Sequence, residues 1–366
     1  MTFLSFGSNS SCQLSQPVPS DLNSPTIIPV ANLPTSTSTV IRSNGNHTLL
    51  LDRDRSRLYA TGSNEFGQCF IPCCDRIPVF QEVKITDLGT DDKWYPELVA
   101  AGWEFSVVVA TTDDKSKQAV FVAGFGLKGE LALDEKLVST ATPTRIANFV
   151  PAHRRIVQVS AGLAHVVVLL DDGALWGWGN CRKGQLGSAN SLLKSAFLPV
   201  RIIDERIPDC YRPAKVICGR EFTGLIDANG HIIVLMDYSK PDRHNILRDI
   251  PAQAQVGSNW KDFQCGWTTL HVLLSSGKIL SWGNNSHCQY APEDAPIAVS
   301  MSCGSEHTLI HASGGVYVWG WGEHGNCGNS VDLEGGNVNV GRAVQVYDGN
   351  IMFLGAGCAT SWICTE

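Results

Sequence analysis

Apolar residues in this chain come in short runs, such as Leu49–Leu51, Val107–Ala110 and Val166–Leu170, each cut off by Gly, Asn, Asp or Thr. Short apolar runs between turn-forming residues predict β-strands throughout. The runs also recur in a fixed setting. An apolar strand enters Gly-x-x-His/Phe/Thr-Thr/Ser and a second apolar strand follows. A turn then leads to a strand ending in Trp-Gly or Ala-Gly, and Asn-x-x-Gly-Gln-Leu closes the unit.

The clearest copy reads Val159-Ser-Ala-Gly162-Leu-Ala-His165, then Trp176-Gly-Trp178-Gly179-Asn180 and Gly184-Gln185-Leu186. Two others follow it closely. One runs Cys265-Gly266-Trp267-Thr-Thr269 to Trp282-Gly283-Asn284, the other Cys303-Gly304-Ser-Glu306-His307 to Trp319-Gly320-Trp321-Gly322. Weaker copies centre on Asn44–Leu49, Ala101–Ser106 and Cys218–Thr223. The first carries Asn44 where the glycine belongs, a feasible exchange because Asn tolerates a left-handed backbone better than most residues. The last has lost its Trp-Gly between His231 and Tyr238.

Two half-copies remain, at opposite ends of the chain. Gly355–Trp362 supplies only the first part of the unit and Phe6–Leu14 only the second. Together they make one whole unit. The fold predicted is therefore all-β, a seven-bladed β-propeller spanning 1–366 as one domain, with a composite blade from 1–15 plus 351–366. Pairing the first and last strands in one sheet closes the ring and removes free sheet edges. The spacing of roughly 40 to 60 residues suits four-stranded blades. The longer stretches Pro72–Tyr95, Asp134–His153, Ser188–Pro213 and Tyr238–Asn259 are expected to be inter-strand loops, some with a helical turn.

Composition narrows the function. The chain has 366 residues, 43% hydrophobic and 17% charged, enough to bury a large core without disulfides or metals. Its formal net charge is -7, and the densest basic stretch, Arg53–Arg57, is interrupted by Asp54. Direct nucleic-acid binding rests on clustered cations and is not expected. No apolar window is long enough to span a membrane. The opening Met1–Leu14 lacks the basic and apolar regions of a signal peptide. With 13 cysteines, the chain is expected to sit in a reducing compartment with free thiols.

The paired Gly-x-x-His-Thr and Trp-Gly-x-Asn-x-x-Gly-Gln-Leu elements resemble the repeats of the chromosome condensation regulator (RCC1-like) family, over essentially the whole chain. That resemblance implies one of several jobs. They include guanine nucleotide exchange on a Ran-like small GTPase, docking on chromatin or histones, and scaffolding beside ubiquitin ligase domains. The single-domain length, the eroded middle blades and the closing Trp319–Gly328 segment are similar to a stand-alone fungal propeller of the Elongator and diphthamide pathways. That resemblance implies a small Cys-rich zinc-binding partner, a role in tRNA wobble uridine modification and diphthamide synthesis, and residence in cytoplasm and nucleus.

In the family's exchange factors, the resemblance implies, the two residues between Gly and His of each repeat grip the partner. Here those positions hold Gly45 and Asn46, Trp103 and Glu104, Leu163 and Ala164, Arg220 and Glu221, Trp267 and Thr268, Ser305 and Glu306, Cys358 and Ala359. Aromatics beside an arginine have the composition of interface hot spots, so Trp103, Trp267 and Arg220 are the expected anchors, with Glu104, Glu221 and Glu306 around them. No inserted hairpin wedge is evident. Trp176, Trp282 and Trp319 fall on a strand and are expected in the core. His47, His165 and His307 share one repeat position, spread round the ring, and are expected to be structural. No Ser-His-Asp arrangement, phosphate-binding glycine loop or acid/base pair appears, so neither catalysis nor a cofactor is expected. Cys69, Cys73 and Cys74 are close together but fall short of four spaced ligands, so no metal is expected.

Overall fold

The structure is a computed structural model that describes residues 2–30, 33, 36, 38–87, 92–147, 149, 153–190, 192–329 and 338–365. Its described strands form seven antiparallel sheets, five of four strands and two of three. The innermost strands, in blade order, are Thr39–Asn44, Tyr95–Ala101, Ile156–Ala161, Pro213–Cys218, Trp260–Cys265, Ala298–Cys303 and Ile351–Ala356. Each touches the next, and Ile351–Ala356 returns to Thr39–Asn44, so the ring is closed.

The closing blade is built from both ends of the chain. Phe3–Gly7 pairs with Thr360–Thr365 in the register Phe3↔Cys364 to Gly7↔Thr360. Its outermost strand is Leu22–Ile27, which lies beyond the 1–15 segment expected to supply the blade. Leu4, Phe6 and Ile363 pack toward blade six, while Phe3, Trp362 and Cys364 pack toward Ile41, Leu50 and Phe80 of blade one. The seam is thus sealed by apolar burial on both sides as well as by the ladder.

Three of the expected loops each contain an outer strand, and this corrects the sequence reading: Arg76–Val83, Ser139–Arg145 and Ser195–Arg201. These strands sit on the rim with one face in solvent, and Pro78, Pro143 and Pro199 interrupt them, so none carries an apolar run longer than three residues. The stretch Tyr238–Asn259 does lack a strand and carries the short helix Gln253–Val256. Blade four accordingly stops at Ile232–Leu235, and blade five stops at Ile279–Gly283.

The repeat motif works as a set of staples between blades. His165 Nε2 lies 3.1 Å from Thr223 Oγ1 of the next blade, and His307 Nε2 lies 3.0 Å from Ser361 Oγ. Those hydroxyls give their own protons to Gln185 O at 2.8 Å and Asn326 O at 2.7 Å. The imidazoles must therefore be the donors at Nε2, which fixes the tautomer. His47 sits 2.8 Å from Ser106 Oγ in the same way. Indole nitrogens add a second staple: Trp178 donates to Glu130 O at 2.9 Å and Trp319 to Gln289 O at 3.0 Å.

The expectation for Trp282 and Trp319 holds, since both are fully buried. Trp176 needs a correction. Cross-strand register pairs His165 with Gly179 and His307 with Gly320, which makes Trp178, not Trp176, the equivalent of Trp319. Trp178 is buried, whereas Trp176 lies two residues back and only half-covers itself against Phe149.

Candidate protein-docking mouth

One end of the ring is formed by the turns between Gly and His of each repeat. A belt of backbone bonds joins them. Arg220 N–H donates to Trp267 O at 2.9 Å, Trp267 to Ser305 O at 2.8 Å, and Ser305 to Gly357 O at 2.9 Å. The repeat glycine is required by this close approach. A Cβ on Gly162 would stand 2.2 Å from Gly219 O, and one on Gly266 would stand 2.4 Å from Ser305 O. Each turn is thereby fixed in place, with Trp103, Glu104, Arg220 and Glu221 presented at the mouth while Ala164, Thr268 and Ser305 are buried within their turns.

On this belt Trp103 of blade two and Trp267 of blade five meet. Their ring centroids are 5.7 Å apart at 53°, although the two side chains arise from non-adjacent blades. The Arg220 guanidinium stands 5.8 Å from the Trp267 ring, in cation–π range. Trp103 is 41% exposed, and Trp267 and Glu104 are half-buried. Together with Leu127, Leu163 and Phe125 these side chains line a concavity of about 360 Å³. An exposed indole leaning on a second indole, beside an arginine, is an apolar anchor surface with one charged handle.

The remaining sequence-predicted residues are close but differently engaged. Glu221 lies 3.8 Å from Lys183 in an adjoining cleft that Arg243 and His244 also line. Glu306 accepts from Gln289 Nε2 at 2.6 Å, and burial raises its carboxyl above the ordinary value. The structure thus gathers Trp103, Glu104, Arg220 and Trp267 round one concavity, and sets Glu221 and Glu306 to the side. The repeat pattern does not flag Phe125, Leu127 and Lys128, which lie at the end of the blade-two strand Gln118–Phe125 and in the turn just after it. Arg243 and His244 lie in the degenerate blade-four stretch, where no repeat position flags them.

The cysteines are free thiols. Cys69 is buried while Cys73 and Cys74 are exposed. Cys218, Cys265 and Cys303 end three successive inner strands, and burial pushes Cys218 and Cys303 up to about 12 and Cys265 also upward. They are poor thiolates. Among the described residues no group of three or more His, Cys, Asp or Glu is arranged to hold a metal. None of the described helices is long and apolar enough to cross a membrane.

A ring of seven blades stapled by Gly-x-x-His turns defines a class of repeat-built β-propellers. The regulator of chromosome condensation (RCC1) repeat matches residues 156–185 and 172–226. The RCC1 repeat-containing protein C10F6.04 of Schizosaccharomyces pombe is 31% identical, over 99% of this chain and 98% of its own length. The chain belongs to the RCC1 repeat family. It is also 22% identical to the secretion-regulating guanine nucleotide exchange factor of Bos taurus, over 80% of this chain and 68% of that one. The crystal structure of Prp20p from Saccharomyces cerevisiae superposes with a TM-score of 0.77 at 17% identity, covering 99% of this chain and 90% of that one.

Proposed function

We propose that the chain is a non-catalytic docking propeller whose mouth grips a small Cys-rich zinc- or iron-binding protein. In this reading the pair serves Elongator-dependent modification of the tRNA wobble uridine and diphthamide synthesis on elongation factor 2, in cytoplasm and nucleus. The observation that carries the docking role is the Trp103–Trp267 pair with Arg220 beside it. Anchors of this kind supply most of the energy of a small interface. Metal and electron chemistry falls to the partner.

A second reading is guanine nucleotide exchange on a Ran-like GTPase. It is favoured by the similarity to the Bos taurus exchange factor and to Prp20p, whose structure was reported with its binding to Gsp1p and histones. Against it, the mouth leads with aromatics and keeps only Glu104 of its three carboxylates unengaged, since Glu221 is paired and Glu306 is engaged by Gln289. Every described strand also belongs to one of the seven blades, so none forms an extra wedge hairpin among the described residues.

The two readings part in one experiment. Affinity-purified protein brings down a small Cys-rich zinc protein in equal amount, and Trp103→Ala with Trp267→Ala weakens that complex by about 2–4 kcal/mol. Nucleotide release from a Ran-like GTPase stays at its spontaneous rate. A large acceleration of release, abolished by the same substitutions, replaces the first reading with the second.

A further inference from the structure

The axis of the ring is open. The seven inner strands enclose a channel of about 570 Å³, the size of a small-molecule site. Three charged residues line it, Arg42, Arg53 and Lys215, and none of its described lining residues is Asp or Glu. In a chain whose formal net charge is -7, that is a local inversion of sign.

The cations are not equally satisfied. Lys215 forms an ion pair with Asp262, whose other oxygen accepts from Gln264 Nε2 at 2.7 Å. Among the described residues no carboxylate lies within ion-pair distance of Arg42 or Arg53. Arg42 gives one hydrogen bond, from Nη1 to the Ile41 carbonyl at 2.9 Å. Its side chain stays open to the channel, yet the surrounding walls enclose it. That enclosure, followed by the nearness of Arg53, lowers its pKa, while Asp262 acts the other way.

The contrast within one turn is informative. Of the three arginines in Arg53–Arg57, Arg55 pairs with Asp52 at 3.5 Å and Arg57 with Glu82 at 3.6 Å, whereas Arg53 turns into the channel. Two like charges face one enclosed space, and Ser160 of blade three and Ser302 of blade six line the same channel. Ser160 Oγ accepts from Cys218 N–H at 3.0 Å, and its own proton is left to donate.

We propose that the channel binds a compact polyvalent oxyanion of the phosphate type, a small molecule bearing two or more phosphoryl groups. Arg42 and Arg53 grip it and the Ser160 and Ser302 hydroxyls complete its shell. The planar guanidinium fork matches phosphoryl oxygens two at a time, which favours such an anion over chloride. Arg53 follows the strand end opposite the tryptophan turns, so the ligand enters from the face away from the mouth. The channel also reaches the mouth turns, where Gly266, Trp267 and Ser305 line it, but Arg53 lies at the far end, so its substitution tests the anion site without altering the Trp103–Trp267 pair.

The test is calorimetric titration of the whole protein with inorganic tripolyphosphate at low ionic strength, with a seven-residue glutamate peptide as the rival probe. One tripolyphosphate binds, and Arg42→Gln and Arg53→Gln each weaken it by at least about tenfold. Arg55→Gln, on the same turn but paired outward, leaves affinity unchanged. Arg53 lies on an exposed turn, so Arg53→Gln reports on the site even where Arg42→Gln disturbs the strand. Absence of binding, an equal loss with Arg55→Gln, or tighter binding of the peptide than of tripolyphosphate overturns the proposal.

Discussion

Trp362→Ala lowers the unfolding free energy by about 3–5 kcal/mol, and deleting Thr360–Thr365 leaves no folded ring. Trp362 is fully buried in the strand that receives the amino-terminal strand, with Phe80 of blade one 5.6 Å away. Its side chain bridges the composite blade to blade one, so truncation opens a cavity at the seam. The indole nitrogen has no hydrogen-bond partner there, which makes the loss one of packing alone. Set against a total stability of about 5–15 kcal/mol, the change is large. Trp103→Ala, which removes a 41% exposed indole from a turn, costs less than about 1 kcal/mol. Denaturant unfolding followed by circular dichroism checks both. A Trp362→Ala protein as stable as the parent means that the seam does not hold the ring.

The second large effect is acid sensitivity. His47, His165, His271 and His307 are buried, and burial lowers each to about 4 from the ordinary 6.5. The sign follows from proton counts. Between about 6.5 and 4 the unfolded chain holds protons on these rings and the folded chain does not, so stability falls as pH falls. It is fully present above about 6.5, and each ring contributes a loss of up to about 3 kcal/mol by pH 4. Nδ1 of His47, His165 and His307 faces no acceptor, so a second ring proton would be buried unpaired. Glu130 and Glu306, whose carboxyls are raised by burial, oppose this and moderate the slope. His165→Phe installs the residue that blades two and four carry as Phe105 and Phe222, and it shallows the slope by up to one proton. Chemical unfolding at several pH values measures this. A stability that is flat from pH 7 to 4 contradicts it.

What the sequence made legible follows the physics of the repeat. The inner three strands of each blade carry the glycine, histidine and Trp-Gly positions because neighbouring blades press on them, so those strands and the ring closure could be read directly. Rim strands such as Ser139–Arg145 are constrained by one neighbour and solvent, and leave no pattern. The Trp176 reading slipped by two residues because Trp-Gly-Trp-Gly offers two registers, and only the pairing of His165 with Gly179 decides between them. At the mouth, Trp103, Arg220 and Trp267 stood out because two bulky aromatics and a cation occupy turn positions. Their convergence depends on ring geometry that joins residues 164 positions apart, and no local pattern encodes it. Arg42 escaped notice because an inward charge on a strand resembles a solvated one until the strand is known to face a channel.

The docking role is tested most directly by where a bound protein touches the ring. A photo-crosslinking amino acid placed at Leu127, 64% exposed on the wall of the concavity, is compared with one at Asn229, on an exposed turn at the opposite face. In the cells that make the protein, the Leu127 probe captures a single small partner, and capture is lost with Trp103→Ala and Trp267→Ala. Capture at Asn229 with none at Leu127 contradicts the assignment of the mouth.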